Sequence, residues 1–138
     1  MQQIDAQAQI SKLISGFFAA FDNRNGLAAD LSTLLGYFAE NAVIARASRS
    51  EIQLVTAREF AVPRIELLES GALVNFYEAE TTGTTSIFGR IAHHTSRYRK
   101  SGVLHGNAYS GAGTKSFQLV ALETGWRILS LAWIDDEA

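Results

Sequence analysis

The chain has no cysteine. That absence removes disulfides, thiolate zinc sites and cysteine nucleophiles, and it agrees with a cytoplasmic protein. Long apolar runs are missing too. The "AVIA" at 42–45 is a representative run, far short of the roughly 20 residues that span a bilayer. The N-terminal "MQQIDAQAQISK" carries no basic flank followed by an apolar stretch. No secretory signal and no membrane partner are therefore expected. Positive charge is also scarce. Lys and Arg number 12 against 14 Asp and Glu, for a net charge of −2. Nucleic-acid affinity needs many cationic phosphate contacts. Only residues 90–100 gather them, through Arg90, Arg97, Arg99 and Lys100. No nucleic-acid partner is expected.

What remains is globular. The 138 residues are 47% hydrophobic and 19% charged, which suits one domain over 1–138 with one core. Residues 5–23 read as an amphipathic helix, with Ile10, Leu13, Ile14, Phe17 and Phe21 on one face and Phe18 widening it. "DNRNG" at 22–26 stops it. A shorter helix begins at Asp30 or Ser32, and short strands follow at 41–47 and 50–55. Thr56 and Glu59 have capping-box spacing, so a third helix starts there. Pro63, the only proline, implies a kink or a fresh helix start.

After Gly71 the hydrophobic period shortens. Residues 73–82, 86–100, 114–123 and 126–135 read as strands. "TTGT" at 81–84 and "ETG" at 123–125 read as turns, and "SGVLHGNAYSGAG" at 101–113 as one long glycine-rich loop. Helices followed by a run of strands predict an α+β domain, with the helices on one face of an antiparallel sheet.

Few residues advertise chemistry. His93 and His94 are neighbours on a strand, so they face opposite sides and cannot share a metal ion. One is expected inside and one outside, and the alternation does not decide which. Histidine titrates near neutral pH, so an inward imidazole is a candidate for proton transfer. Glu78 and Glu80 share a strand face near Arg90 and read as an exposed cross-strand charge group. The glycines at 102–113 lack the lysine and helix of a phosphate loop. No metal and no cofactor are expected.

Three stretches carry a resemblance: "LLGYFAENAVIAR" at 34–46, "EFAVPRIELLESGALVNFYEAE" at 59–80 and "GTKSFQLVALETGWRILSLAW" at 113–133. In their order and spacing they resemble the nuclear transport factor 2-like superfamily, which includes ketosteroid isomerases and polyketide cyclases. With the first helix, the resemblance covers nearly the whole chain. It implies a single domain of that type: a cone-shaped, curved antiparallel sheet wrapped around a long N-terminal helix, with three helices on the concave side. It also implies a pocket and a homodimer formed through the outer sheet face. The positions matching the isomerase base, its tyrosine and its second aspartate are Arg46, Phe17 and Phe117. None supplies the required group, so the familiar steroid isomerisation is not expected.

The expected function is binding of a small apolar or amphipathic organic ligand. Phe17, Phe21, Arg46, Phe60, His93, Trp133 and Asp135 are the expected lining. One alternative is a cofactor-independent lyase, isomerase or cyclase, with His93 or His94 moving a proton and Arg46 holding an anionic substrate. Another is a homodimeric accessory subunit without a ligand.

Overall fold

The structure is a computed structural model that describes residues 3–137. Three helices, α1 (Gln3–Ala19), α2 (Leu31–Gly36) and α3 (Ala57–Glu69), accompany six strands. The strands are β1 (Phe38–Ala47), β2 (Ile52–Thr56), β3 (Leu73–Phe88), β4 (Ile91–Leu104), β5 (Asn107–Leu122) and β6 (Gly125–Asp135). Among the described residues no helix is long and apolar enough to cross a membrane.

The sheet corrects the expected architecture. Its order is β2-β1-β6-β5-β4-β3. β1 runs parallel to β6 and every other neighbour is antiparallel, so the sheet is mixed. It is also open and not strongly curled, so the cone is absent. Closure would require β2 to bond β3, and the two are opposite edges of the sheet. Instead α3 packs against β1, β2 and β3, while α1 packs against β3 and β6.

The helices form where their side chains say they should. Ile10, Leu13, Ile14, Phe17 and Phe18 are buried on one face of α1. The helix stops short of residue 23, because Asp22 turns back to accept from the Arg24 backbone N–H at 3.0 Å. Asn23 then bridges to β3: its amide donates to Leu73 O at 2.8 Å and its oxygen accepts from Phe76 N at 2.8 Å. Asp30 caps α2 by accepting from Thr33 N. Thr56 and Glu59 close both halves of the capping box of α3, at 3.1 and 2.9 Å. Pro63 lies inside α3, which neither ends nor restarts there.

Two expected turns are strand. Thr82, Gly83 and Thr84 pair with Arg97, Ser96 and Thr95, so "TTGT" is mid-hairpin, and the chain reverses at Gly89–Arg90. The glycine-rich stretch is not a loop either. β4 and β5 pair from Ile91↔Val120 to Leu104↔Asn107. The reversal takes only His105 and Gly106, at φ 49 and 81, a left-handed pair that matches the twist of a tight hairpin. An irregularity in β3 between Glu80 and Thr82 shifts its alternation by one residue. Glu80 and Gly83 thus share the inner face, despite their odd spacing.

Gly113 sits where three strands crowd. It pairs with Tyr98 of β4 and with Asp135 of β6. A Cβ there would collide with Ile134 O and with the Tyr98 hydroxyl. Gly113→Ala should therefore lower stability by about 1–3 kcal/mol, read from urea unfolding. A variant as stable as the parent would mean that these strands have slack the structure does not show.

Candidate functional site

The inner face of the sheet changes character along its strands. At one end Phe117, Leu119, Ile128 and Leu131 are buried. Phe17 of α1 meets Phe117 edge to face, at 5.3 Å between ring centroids. Two residues from Phe117, the same face of β5 presents Lys115. Its register neighbours are Ser96 on β4 and Trp133 on β6, and Trp133 in turn pairs with Arg46 on β1.

A cavity of about 290 Å³ lies over this charged half. Phe21, Phe60, Leu67, Leu68, Leu73 and Phe76 make an apolar wall. Glu78, Lys100, Lys115 and Asp135 make a charged floor, with Arg46, Arg64, Tyr109 and Trp133 beside it.

The floor is tied together in two groups. Lys115 Nζ lies 2.9 Å from Glu78 Oε2, with only 6% and 9% of the two side chains exposed. The two form a buried ion pair at hydrogen-bonding distance. Burial pushes the Lys115 ammonium pKa down, and the Glu78 carboxylate opposes that. The ammonium also lies 4.1 Å from the Tyr98 ring centroid and 5.1 Å from that of Trp133. In the second group the Tyr98 hydroxyl donates a short hydrogen bond to Asp135 Oδ1. Lys100 Nζ lies 3.2 Å from both oxygens of the same carboxylate. Burial alone would raise the Asp135 pKa, but Tyr98 and Lys100 outweigh it and hold the group below its ordinary value. The Tyr98 phenol is pushed far up, by burial first and then by the hydrogen bond to Asp135.

Arg64 reaches the cavity from α3. Its guanidinium lies 4.5 Å from the Phe60 ring centroid and 5.0 Å from that of Trp133, and it donates to Phe60 O at 3.2 Å. Burial lowers its pKa, and the nearby Arg46 lowers it further. Among the described residues no three His, Asp or Glu side chains converge on a metal position.

No protein-family model matches the chain, and no curated protein does. Solved structures do. A protein from Kribbella flavida superposes with a TM-score of 0.78 at 14% identity, over 98% of this chain and 93% of that one. A nuclear transport factor 2-like superfamily protein from Salmonella enterica serovar Typhimurium gives 0.78 at 13%, over 96% and 92%. The hexachlorocyclohexane dehydrochlorinase LinA-type3 from Novosphingobium barchaimii gives 0.76 at 14%, over 97% and 88%.

The chain has the nuclear transport factor 2-like fold. At these identities the likeness carries the fold and no residue's role.

Within that fold, the residues singled out from the sequence separate. Phe21, Arg46, Phe60, Trp133 and Asp135 line the cavity. Phe17 does not; it is fully buried among Phe18, Phe21, Phe38 and Phe117. His93 is on the outer face, its Nε2 2.9 Å from Ser116 Oγ. His94 is the inward histidine and is 5% exposed. It is held at 2.6 Å by both Thr85 Oγ1 and Glu80 Oε2, away from the cavity lining. Neither histidine meets Arg46 there.

Glu78 and Glu80 are not the exposed group expected beside Arg90. Glu78 pairs with Lys115, Glu80 with His94 and Ser96, and Arg90 bonds Ala121 O. Sequence reasoning missed Lys115, Lys100, Arg64 and Tyr109 as lining residues. Lys115 did leave a signal. In "KSFQLVA" every second residue from Phe117 on is apolar, and the lysine heads that inward series.

Lys115→Met should cost about 3–5 kcal/mol, because it strands the buried Glu78 carboxylate. Adding Glu78→Leu should recover most of that loss in chemical denaturation. No recovery would show that the floor depends on more than charge balance.

Proposed function

We propose that the protein binds a small amphipathic organic molecule in the cavity between α3 and the sheet. The observation that carries this reading is the cavity itself: one wall of aromatic and aliphatic side chains faces a floor of fixed charges. Ligand pockets of small molecules have this make-up, mostly apolar with a few placed polar groups. The volume, about 290 Å³, suits a one-ring compound. The dehydrochlorinase that shares the fold is named for hexachlorocyclohexane, itself a one-ring molecule. A proton-transfer enzyme built on His93 or His94 has less behind it, since neither imidazole lines this cavity.

A thermal-shift survey of one-ring compounds tests the reading. A ligand at about 100 times its Kd adds about 2.7 kcal/mol, enough to raise the midpoint by several degrees. Leu67→Trp, which fills the cavity, should abolish that rise. No shift with any compound, or equal shifts in the filled variant, would defeat the proposal.

The second part of the reading is a homodimer through the outer sheet face. Val43, Ile52, Leu54 and Ile134 are 50%, 63%, 67% and 40% exposed. Register puts them on one face of β1, β2 and β6, with Ala45 and Ala47 between Leu54, Ile52 and Ile134, and an apolar patch of this kind marks interaction surfaces. Sedimentation should show a dimer at micromolar concentration, and Leu54→Glu should give a monomer. A monomeric parent protein at such concentrations would rule this interface out.

A further inference from the structure

The cavity is not neutral. Four cations and two carboxylates line it, which leaves two positive charges unmatched. Distances show which two. Lys100 holds Asp135, and Lys115 holds Glu78. Among the described residues no carboxylate lies within ion-pair distance of Arg46 or Arg64. The two guanidinium groups approach the same space and repel each other. Glu78, Asp135 and Tyr109 oppose that repulsion from beyond ion-pair distance, and both carboxylates are already engaged by the lysines.

The surroundings also fix one of the two. The Arg64 guanidinium lies over the rings of Phe60 and Trp133, and one of its N–H groups is anchored on Phe60 O. A guanidinium held over aromatic rings and anchored by a hydrogen bond is ordered before any ligand arrives, so less entropy is lost on binding. Its remaining N–H groups donate to no partner among the described residues. Arg46 is exposed yet lines the same cavity, which places it at the mouth.

We propose that Arg46 and Arg64 clamp the carboxylate of a small organic acid, whose apolar body lies against Phe60, Trp133 and Leu67. This rests on the cavity being the ligand site and names the chemical class it takes. Guanidinium groups match a carboxylate's two oxygens in a planar, charge-assisted contact. The incoming anion supplies the charge that the arginine pair lacks. The apolar wall then distinguishes an aryl or short alkyl acid from a simple inorganic anion.

Calorimetric titration of a matched panel tests the clamp: benzoate, phenylacetate and cinnamate, each beside its neutral amide. The acids should bind at least about 10-fold tighter than their amides, as expected for hydrogen bonds to charged groups. That preference should largely vanish in Arg46→Gln and in Arg64→Gln, and survive in part in Arg64→Lys. Arg46 is exposed, so its variant is informative even if the Arg64 variants fold poorly. Acids and amides binding equally would overturn the clamp and leave the ligand cavity standing. A preference that persists in the glutamine variants would overturn the arginines' role. No binding by any member of the panel would overturn both.

Discussion

A lysine and a glutamate buried against each other, Lys115 and Glu78, set the conditions for the rest of the structure. A charge taken out of water is tolerated only with a partner close by, and even then the gain is small. Leucines cannot be packed tightly over such a pair without raising its desolvation cost. The helices therefore cover the sheet unevenly. α1 seals the half that carries Phe117, Leu119 and Ile128, and aromatic rings interlock there. α3 stands over the half that carries Lys115, Lys100 and Asp135, and a cavity remains between them.

The same division accounts for two of the three positions that the sequence resemblance set beside catalytic groups. Phe17 and Phe117, which resemble the places of an isomerase tyrosine and aspartate, belong to the dry half and pack on each other. The polar groups lie farther along the strands, in the rows of Tyr98, Gly113 and Asp135 and of Ser96, Lys115 and Trp133. A shared fold thus presents a different constellation, and function has to be argued from that constellation. Gly113 matters here through what it lacks. Without a side chain on β5, the Tyr98 hydroxyl crosses the strand to Asp135. Asp135 in turn occupies Lys100, which leaves the arginines as the unmatched charges.

Local signals in the sequence were good guides where local physics decides. The spacing of Ile10, Leu13, Ile14 and Phe17 marked the buried face of α1, and Thr56 with Glu59 marked the start of α3. The α+β class followed from the order of the elements. Longer-range features were not legible. The parallel pairing of β1 with β6 joins segments about 90 residues apart, and no local pattern encodes it. Glu78 and Glu80 continue the inward series of Phe76, but as carboxylates they looked like surface residues. Gly83 and the glycines beyond Gly102 read as turns, although all but Gly106 lie in strands. At the site, the aromatic residues were legible from composition and helical spacing, and Arg46 only through the family resemblance. Lys115 and Arg64 were not, because lysine and arginine usually signal solvent.

The most direct test is a crystal structure of the protein grown with phenylacetate. The account predicts the acid inside the cavity, its ring against Phe60 and Trp133. Its carboxylate oxygens should lie about 2.7–2.9 Å from nitrogens of both Arg46 and Arg64. Phenylacetate found only on the outer surface, or a cavity closed by the protein's own side chains, would contradict it.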